Sequence, residues 1–169
     1  MFTLATHLSA LTFENFSVNK ANRLAHAAAL AVAEKPGTDY NPFFLHSASE
    51  SGSADMHHLL SAIGNRIEKT YPEKTVLYVT GKELAEIDSD GIGKTALSNV
   101  DVLLLENIQD LVEVSQDDVR LLLEKFSSDG KQLVISSNLP PKDLPMLDFA
   151  LATQINVGMV IGIEGSEES

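Results

Sequence analysis

The run Val100-Asp101-Val102-Leu103-Leu104-Leu105 decides the fold, because it is almost unbroken in its apolar character and has the length of one strand. Two similar runs precede it, at residues 43–46 and 75–80, and two follow it, at residues 132–137 and 157–163. Continuous apolar strands are typical of a parallel sheet that is covered on both faces. Residues 20–34, 55–70 and 115–126 carry helical periodicity or helix start and stop signals. This alternation predicts a doubly wound α/β fold with a five-stranded, mainly parallel sheet.

The composition indicates one globular domain with an acidic surface. The chain has 169 residues, and we expect a single domain over residues 1–163 with a frayed polar tail at 164–169. The lack of cysteine excludes disulfides and thiolate metal sites and fits a cytoplasmic protein. No apolar run reaches the roughly 18 residues that span a membrane. The net charge of −12 disfavours autonomous DNA binding, since nucleic-acid binders neutralise phosphates with basic side chains.

Several motifs, in a fixed order from about residue 12 to 145, resemble the AAA+ domain of the bacterial DnaA replication-initiator family. They are Thr12-Phe13-Glu14-Asn15-Phe16, Asn22-Arg23-Leu24-Ala25-His26, Tyr40-Asn41-Pro42-Phe43-Phe44, His58-Leu59-Leu60-Ser61-Ala62-Ile63-Gly64-Asn65, the strand at 100–105 with Ile108-Gln109, and Val134-Ile135-Ser136-Ser137 with Pro140-Pro141-Lys142. The resemblance implies a three-layer P-loop fold. Because the sequence stops soon after the fifth strand, we expect a domain without the helical lid and without the helix-turn-helix DNA reader.

The phosphate loop departs from the family pattern. The family joins its first strand to the next helix by a Gly-rich loop ending in Gly-Lys-Thr, whose backbone N–H groups cradle phosphate and whose hydroxyl binds Mg²⁺. Here residues 47–57 are about three residues longer and hold one glycine, with Met56 at the lysine position and added negative charge from Glu50 and Asp55. The resemblance leaves a vestigial nucleotide site in this segment. Its residues are Ser51, Gly52, Ser53, Met56 and His57.

The acidic residues of the family site are altered as well. Glu106-Asn107 stands at the paired aspartates of the Walker B strand, and Asn138 stands at the sensor 1 aspartate. Glu106 could still serve a metal, whereas Asn107 cannot act as a base. The arginine-rich box near Asp148 is replaced by a stretch that ends at Thr153 and holds no arginine. These changes predict that the chain is not an enzyme, has no cofactor and no metal, and binds ADP or ATP weakly at most.

Three other patterns resemble functional motifs, but we prefer a structural explanation for each. Gly93-Lys94-Thr95 lacks room for the helix that a phosphate loop requires, so residues 88–95 are better explained as a flexible connector. The gap between the second and third strands, residues 81–99, is too short for the complete set of extra helices of initiators. The histidines at 46, 57 and 58 with Glu50 and Asp55 could be drawn as a metal cluster, but adjacent histidines on a helix diverge by about 100°. Leu11 and Phe13 faintly match a clamp-binding peptide of the Hda type, although core packing explains Phe13 better.

The functional prediction is a non-catalytic DnaA-like protein that regulates replication initiation through contacts with DnaA or another replication protein. Two alternatives stay open. One is a switch that binds ADP or ATP without hydrolysis, and the other is an adaptor tethered to the sliding clamp. Fold resemblance alone does not choose among them. The oligomeric state and the direction of regulation also stay open.

Overall fold

Helices and strands alternate along the chain in the computed structural model, which describes residues 10–89, 97–111, 116–128 and 130–164. The elements are α1 (Arg23–Glu34), β1 (Phe43–His46), α2 (Glu50–Thr70), β2 (Val76–Thr80), α3 (Gly81–Ser89), β3 (Val102–Glu106), α4 (Gln116–Ser128), β4 (Gln132–Ser137), α5 (Phe149–Asn156) and β5 (Met159–Gly162). Short 3₁₀ turns lie at Ile108–Asp110 and Pro141–Asp143.

All five strands belong to one sheet with the order β2-β3-β4-β1-β5. Every neighbouring pair is parallel, with Phe43 opposite Val134 in β4 and Met159 in β5. The prediction of a five-stranded, doubly wound α/β fold is confirmed. In such sheets ligands bind outside the carboxyl ends of the strands, where the order of the strands reverses. Here β1 lies at that reversal, so its carboxyl end and that of β4 define where a site is expected.

Apolar side chains fill both faces of the sheet. Phe43 and Leu45 point to the side covered by α1 and α2, whereas Phe44 between them packs on the opposite side, and all three are fully buried. The second side is covered by α4 and α5, to whose cluster Phe126 and Leu151 belong. This alternation explains why the strands are apolar without interruption.

Two helices differ from what the sequence suggests. The first starts at Arg23 rather than residue 20, because Asn19 and Asn22 exchange backbone-to-side-chain hydrogen bonds of 2.8 and 3.0 Å that hold the preceding turn. Helix α3, for which no helix was predicted, occupies the first part of the gap between the second and third strands and ends at Ser89, near the start of the expected connector. Its start is fixed by a capping box, in which Thr80 N donates to Glu83 Oε1 at 2.9 Å and Glu83 N donates to Thr80 Oγ1 at 3.1 Å.

Some predicted features are shifted or fall outside the described ranges. Strand β3 runs from Val102 to Glu106, two residues later at its start than the apolar run, and β5 is shorter than residues 157–163. Helix α5, which the sequence did not indicate, is capped by Asp148, whose Oδ1 accepts from Leu151 N at 2.8 Å. The Gly93-Lys94-Thr95 stretch, the capping signal at Ser115 and the tail beyond Glu164 lie outside the described residues.

Candidate functional site

The connection between β1 and α2 holds only three residues, Ser47, Ala48 and Ser49. The expectation of a loop over 47–57 is therefore wrong, because the inserted residues extend α2 at its start instead. Ser49 is the N-cap of the helix, and its hydroxyl accepts a 2.9 Å hydrogen bond from Gly52 N. Ser47 Oγ lies 3.2 Å from Ser49 Oγ. The Ser49 hydroxyl thus engages one of the backbone N–H groups at the start of α2 that would otherwise be available to an anion.

Close packing at the start of α2 requires a glycine. A Cβ atom at Gly52 would collide with the hydroxyl of Ser47, which is itself 5% exposed. Ser51 is half-buried and Ser53 is exposed on the same turn. These three predicted site residues therefore lie in the first turn of α2. There the Gly52 N–H is bonded to a serine hydroxyl instead of facing a phosphate.

Met56 and Asp55 do not face the expected site. Met56 is 2% exposed and belongs to the core on the side of α1. Asp55 accepts a 2.9 Å hydrogen bond from Nδ2 of Asn22, the residue that precedes α1. The expectation that Asp55 adds charge beside a phosphate is therefore not met, since its carboxylate ties α2 to the start of α1.

Glu106 and His57 come together with a residue that the sequence reasoning missed. His57 Nδ1 lies 3.0 Å from Glu106 Oε2, and Tyr78 Oη donates to Glu106 Oε1 at 2.8 Å. Tyr78 Oη and His57 Nδ1 are 3.1 Å apart. Burial raises the pKa of the Tyr78 phenol, and the charge of Glu106 and its hydrogen bond raise it further. The phenol is therefore protonated at neutral pH and donates its O–H hydrogen bond to Glu106.

The remaining predicted site residues lie at the carboxyl edge of the sheet. Asn107 has a left-handed backbone with φ of 61°, and its N–H donates to Ser136 Oγ at 3.0 Å. Asn138 is exposed, and its N–H donates to Gln109 Oε1 at 3.2 Å. These bonds join the turn after β3 to the end of β4. Both asparagines are held through their backbone N–H groups.

An open cavity of about 690 Å³ lies between the carboxyl ends of β1 and β5. Its walls include His46, Ser47, Ser49, Gly162 and Glu164. Burial lowers the pKa of the His46 imidazole, which favours the neutral ring. The cavity therefore offers hydroxyls and a neutral imidazole.

The histidines drawn as a metal cluster have separate partners. His58 Nε2 lies 2.8 Å from the carbonyl oxygen of Thr12 and 2.9 Å from Asn15 Oδ1, so it anchors the N-terminal segment. Phe13 in that segment is 7% exposed and packs in the core, which agrees with the packing explanation preferred for it. Within the described ranges, no group of three or more His, Cys, Asp or Glu side chains could hold a metal ion.

The fold has three layers, a parallel sheet with the order β2-β3-β4-β1-β5 between two layers of helices. This arrangement, with its candidate site at the carboxyl ends of β1, β3 and β4, defines the P-loop class of nucleotide-binding folds. The chain belongs to the bacterial DnaA family, since the family model described as the bacterial DnaA ATPase domain matches residues 8–162. The chromosomal replication initiator protein DnaA of Chloroflexus aurantiacus is 36% identical over 162 residues, which cover 90% of this chain and 33% of the relative. The chain thus spans about a third of the length of that relative.

Solved structures agree with this assignment. Domain III of the Thermotoga maritima replication initiation protein DnaA superposes with a TM-score of 0.81 at 30% identity, covering 96% of this chain and 69% of that chain. A replication initiator DnaA bound to AMPPCP and single-stranded DNA gives a TM-score of 0.80 at 26% identity, covering 95% and 52%. The predicted resemblance to the DnaA AAA+ domain is confirmed.

The prediction that the chain is not an enzyme is contradicted. It rested on substitutions at single positions, whereas the family that matches nearly the whole chain is that of an ATPase domain. A similar replication initiator DnaA has been solved bound to the nucleotide analogue AMPPCP, which leaves room for the weak ADP or ATP binding that the sequence analysis allowed. Among the helices of the described residues, none is long and apolar enough to cross a membrane.

Tyr78 becomes a candidate only once the order of the strands in the sheet is known. It lies two residues before the end of β2, and β2 pairs with β3 so that Thr80 is opposite Glu106. Only the order of the strands in the sheet brings the two side chains together. The roles of the other predicted site residues, Ser51, Gly52, Ser53, Met56, Asn107 and Asn138, stay predictions.

Proposed function

We propose that this DnaA-type domain regulates replication initiation by binding DnaA or another replication protein. The observation that carries the proposal is the outer face of α5. Phe149 is 87% exposed and Val157, directly after the helix, is 79% exposed. Ala150 and Thr153 are exposed on the same face. At about 100° per residue, positions one, four and eight residues after Phe149 fall within an arc of about 100°, so all four side chains lie on one face of the helix.

The composition of this stripe supports a protein partner. Helix α5 has the sequence FALATQIN, with no charged residue, in a chain whose net charge is −12. Aromatic side chains that are exposed in the free protein, with few charges around them, are typical of surfaces that become the centre of a protein interface. A strongly acidic chain repels the DNA backbone, so contact with protein is favoured over autonomous DNA binding.

Weak affinity for ADP or ATP is the second part of the proposal. Phosphate binding at the start of α2 has to compete with the Ser49 hydroxyl, which already accepts from Gly52 N. Such competition lowers affinity without removing it. The cavity beside Ser47 and His46 leaves space for part of a ligand.

Analytical ultracentrifugation with the DnaA of the same organism tests the protein contact. Truncating an aromatic anchor at an interface costs about 1.4 kcal/mol or more, which is tenfold in affinity. We therefore expect Phe149→Ser with Val157→Ser to weaken the complex at least tenfold. Leu24→Ser is the matched control, because Leu24 is 69% exposed on α1, which covers the opposite face of the sheet.

Two results would contradict the proposal. One is a complex that Phe149→Ser and Val157→Ser leave unchanged. The other is no association with DnaA or with any other replication protein of the same organism in the presence of ADP, ATP or neither. Isothermal titration with ADP and ATP addresses the second part separately. Tight binding, with a Kd of about 1 μM or below, would show that the serine cap does not limit nucleotide affinity.

A further inference from the structure

Glu106 is enclosed by donors from two other elements. It ends β3, and its side chain is 17% exposed. Its Oε1 accepts from Tyr78 Oη in β2 at 2.8 Å, and its Oε2 lies 3.0 Å from His57 Nδ1 in α2. A carboxylate can only accept, so Nδ1 carries the hydrogen of this bond. We call this arrangement of His57, Tyr78 and Glu106 the carboxylate clasp.

The clasp does not fit the magnesium ion that the P-loop fold implies. Mg²⁺ requires oxygen atoms that accept, arranged as a near-ideal octahedron. His57 and Tyr78 instead direct an N–H and an O–H at the carboxylate, and hydrogens on donors repel a cation. A tyrosine phenol, with an ordinary pKa of about 10, keeps its proton at neutral pH, and the raised pKa of Tyr78 acts in the same direction. Both carboxylate oxygens of Glu106 therefore already have hydrogen-bond donors within the protein.

We propose that the His57 and Tyr78 hydrogen bonds withhold Glu106 from hard divalent cations, so that any nucleotide bound by this domain is bound without Mg²⁺. The second half of this statement rests on the proposed nucleotide affinity, whereas the first half does not. Sequence position alone suggests the opposite, since Glu106 stands where the family places a metal-facing acid. The geometry of three side chains reverses that expectation.

Binding of Mn²⁺, followed by electron paramagnetic resonance on the nucleotide-free protein, tests the first half. We expect the wild type and Glu106→Gln to bind Mn²⁺ equally weakly, because Glu106 offers no metal site. His57→Asp combined with Tyr78→Phe replaces one donor by a second carboxylate and deletes the other. This variant should bind Mn²⁺ at least tenfold more tightly than the wild type, and adding Glu106→Gln should abolish the gain.

The matched control combines His58→Asp with Tyr71→Phe. It changes the same residue types at positions that contact Thr12 and Glu34 instead of Glu106. No gain in Mn²⁺ binding is expected there. Far-ultraviolet circular dichroism and the melting temperature establish that each variant is folded. A wild-type Mn²⁺ site that depends on Glu106 would overturn the proposal, and so would a folded His57→Asp, Tyr78→Phe variant that gains nothing.

Titration of ADP in Mg²⁺ and in EDTA tests the second half. We expect affinities that agree within twofold in the two buffers. Affinity that is tenfold or more higher in Mg²⁺ would overturn the proposal. If ADP binds in neither buffer, the proposed nucleotide affinity fails and the second half falls with it, while the Mn²⁺ measurements still decide whether the clasp excludes a metal.

Discussion

At the scale of single residues, Gly52 shows how closely the start of α2 is packed. A side chain there would collide with Ser47 and press on the cap hydroxyl of Ser49. We expect Gly52→Ala to lower the free energy of unfolding by about 1–3 kcal/mol, as overpacking does. Urea denaturation measures the loss, with Ser53→Ala as the exposed control that should change it by less than about 0.5 kcal/mol. An unchanged Gly52→Ala protein would mean that the serine contacts are not tight in solution.

His46 makes a second prediction at this scale. Its pKa is lowered in the folded protein by burial, so the unfolded chain takes up a proton first as the pH falls. The stability that depends on the neutral ring is therefore present above the ordinary pKa of about 6.5 and is lost below it. We expect the urea midpoint of the wild type to drop more between pH 7.5 and pH 5.5 than that of His46→Gln. Equal drops would contradict this.

The predictability of the site also differs residue by residue. The order of the motifs assigned Glu106 to the acidic position after the third strand and Met56 to the lysine position of the phosphate loop. Their surroundings could not be predicted, because Met56 faces the core once the helix starts at Glu50, and Tyr78 reaches Glu106 only through strand pairing. Local sequence determines neither a helix rotation nor a contact between separate strands.

At the scale of elements, the cap of α2 is the feature to test. Ser49 Oγ accepts from Gly52 N, and losing such a cap costs about 0.5–2 kcal/mol. We expect Ser49→Ala to lower the free energy of unfolding by this amount, while Ser49→Asp keeps an acceptor and stays within about 0.5 kcal/mol of the wild type. Thermal and urea unfolding give both values. A Ser49→Asp protein as unstable as Ser49→Ala would exclude capping as the cause.

Elements were predictable where the sequence contains both a core pattern and a stop signal. β1 and β4 were predicted with the bounds observed, since each is an apolar run closed by serine. The start of α3 was missed although Thr80 and Glu83 form a recognisable capping box, whereas the start of α2 was hidden because serine-rich segments resemble loops. Capping contacts decided both starts.

At the scale of the whole molecule, the net charge of −12 makes stability depend on salt. Like charges repel in the compact state, and their interaction range falls from about 30 Å at 10 mM salt to about 8 Å at 150 mM. We therefore expect the melting temperature to rise over this range of sodium chloride. Glu34→Gln with Glu73→Gln, both exposed, changes the net charge from −12 to −10 and should show a smaller rise. A melting temperature that falls with salt would mean that attractive ion pairs, such as Arg66 with Glu14 at 3.0 Å, outweigh the repulsion.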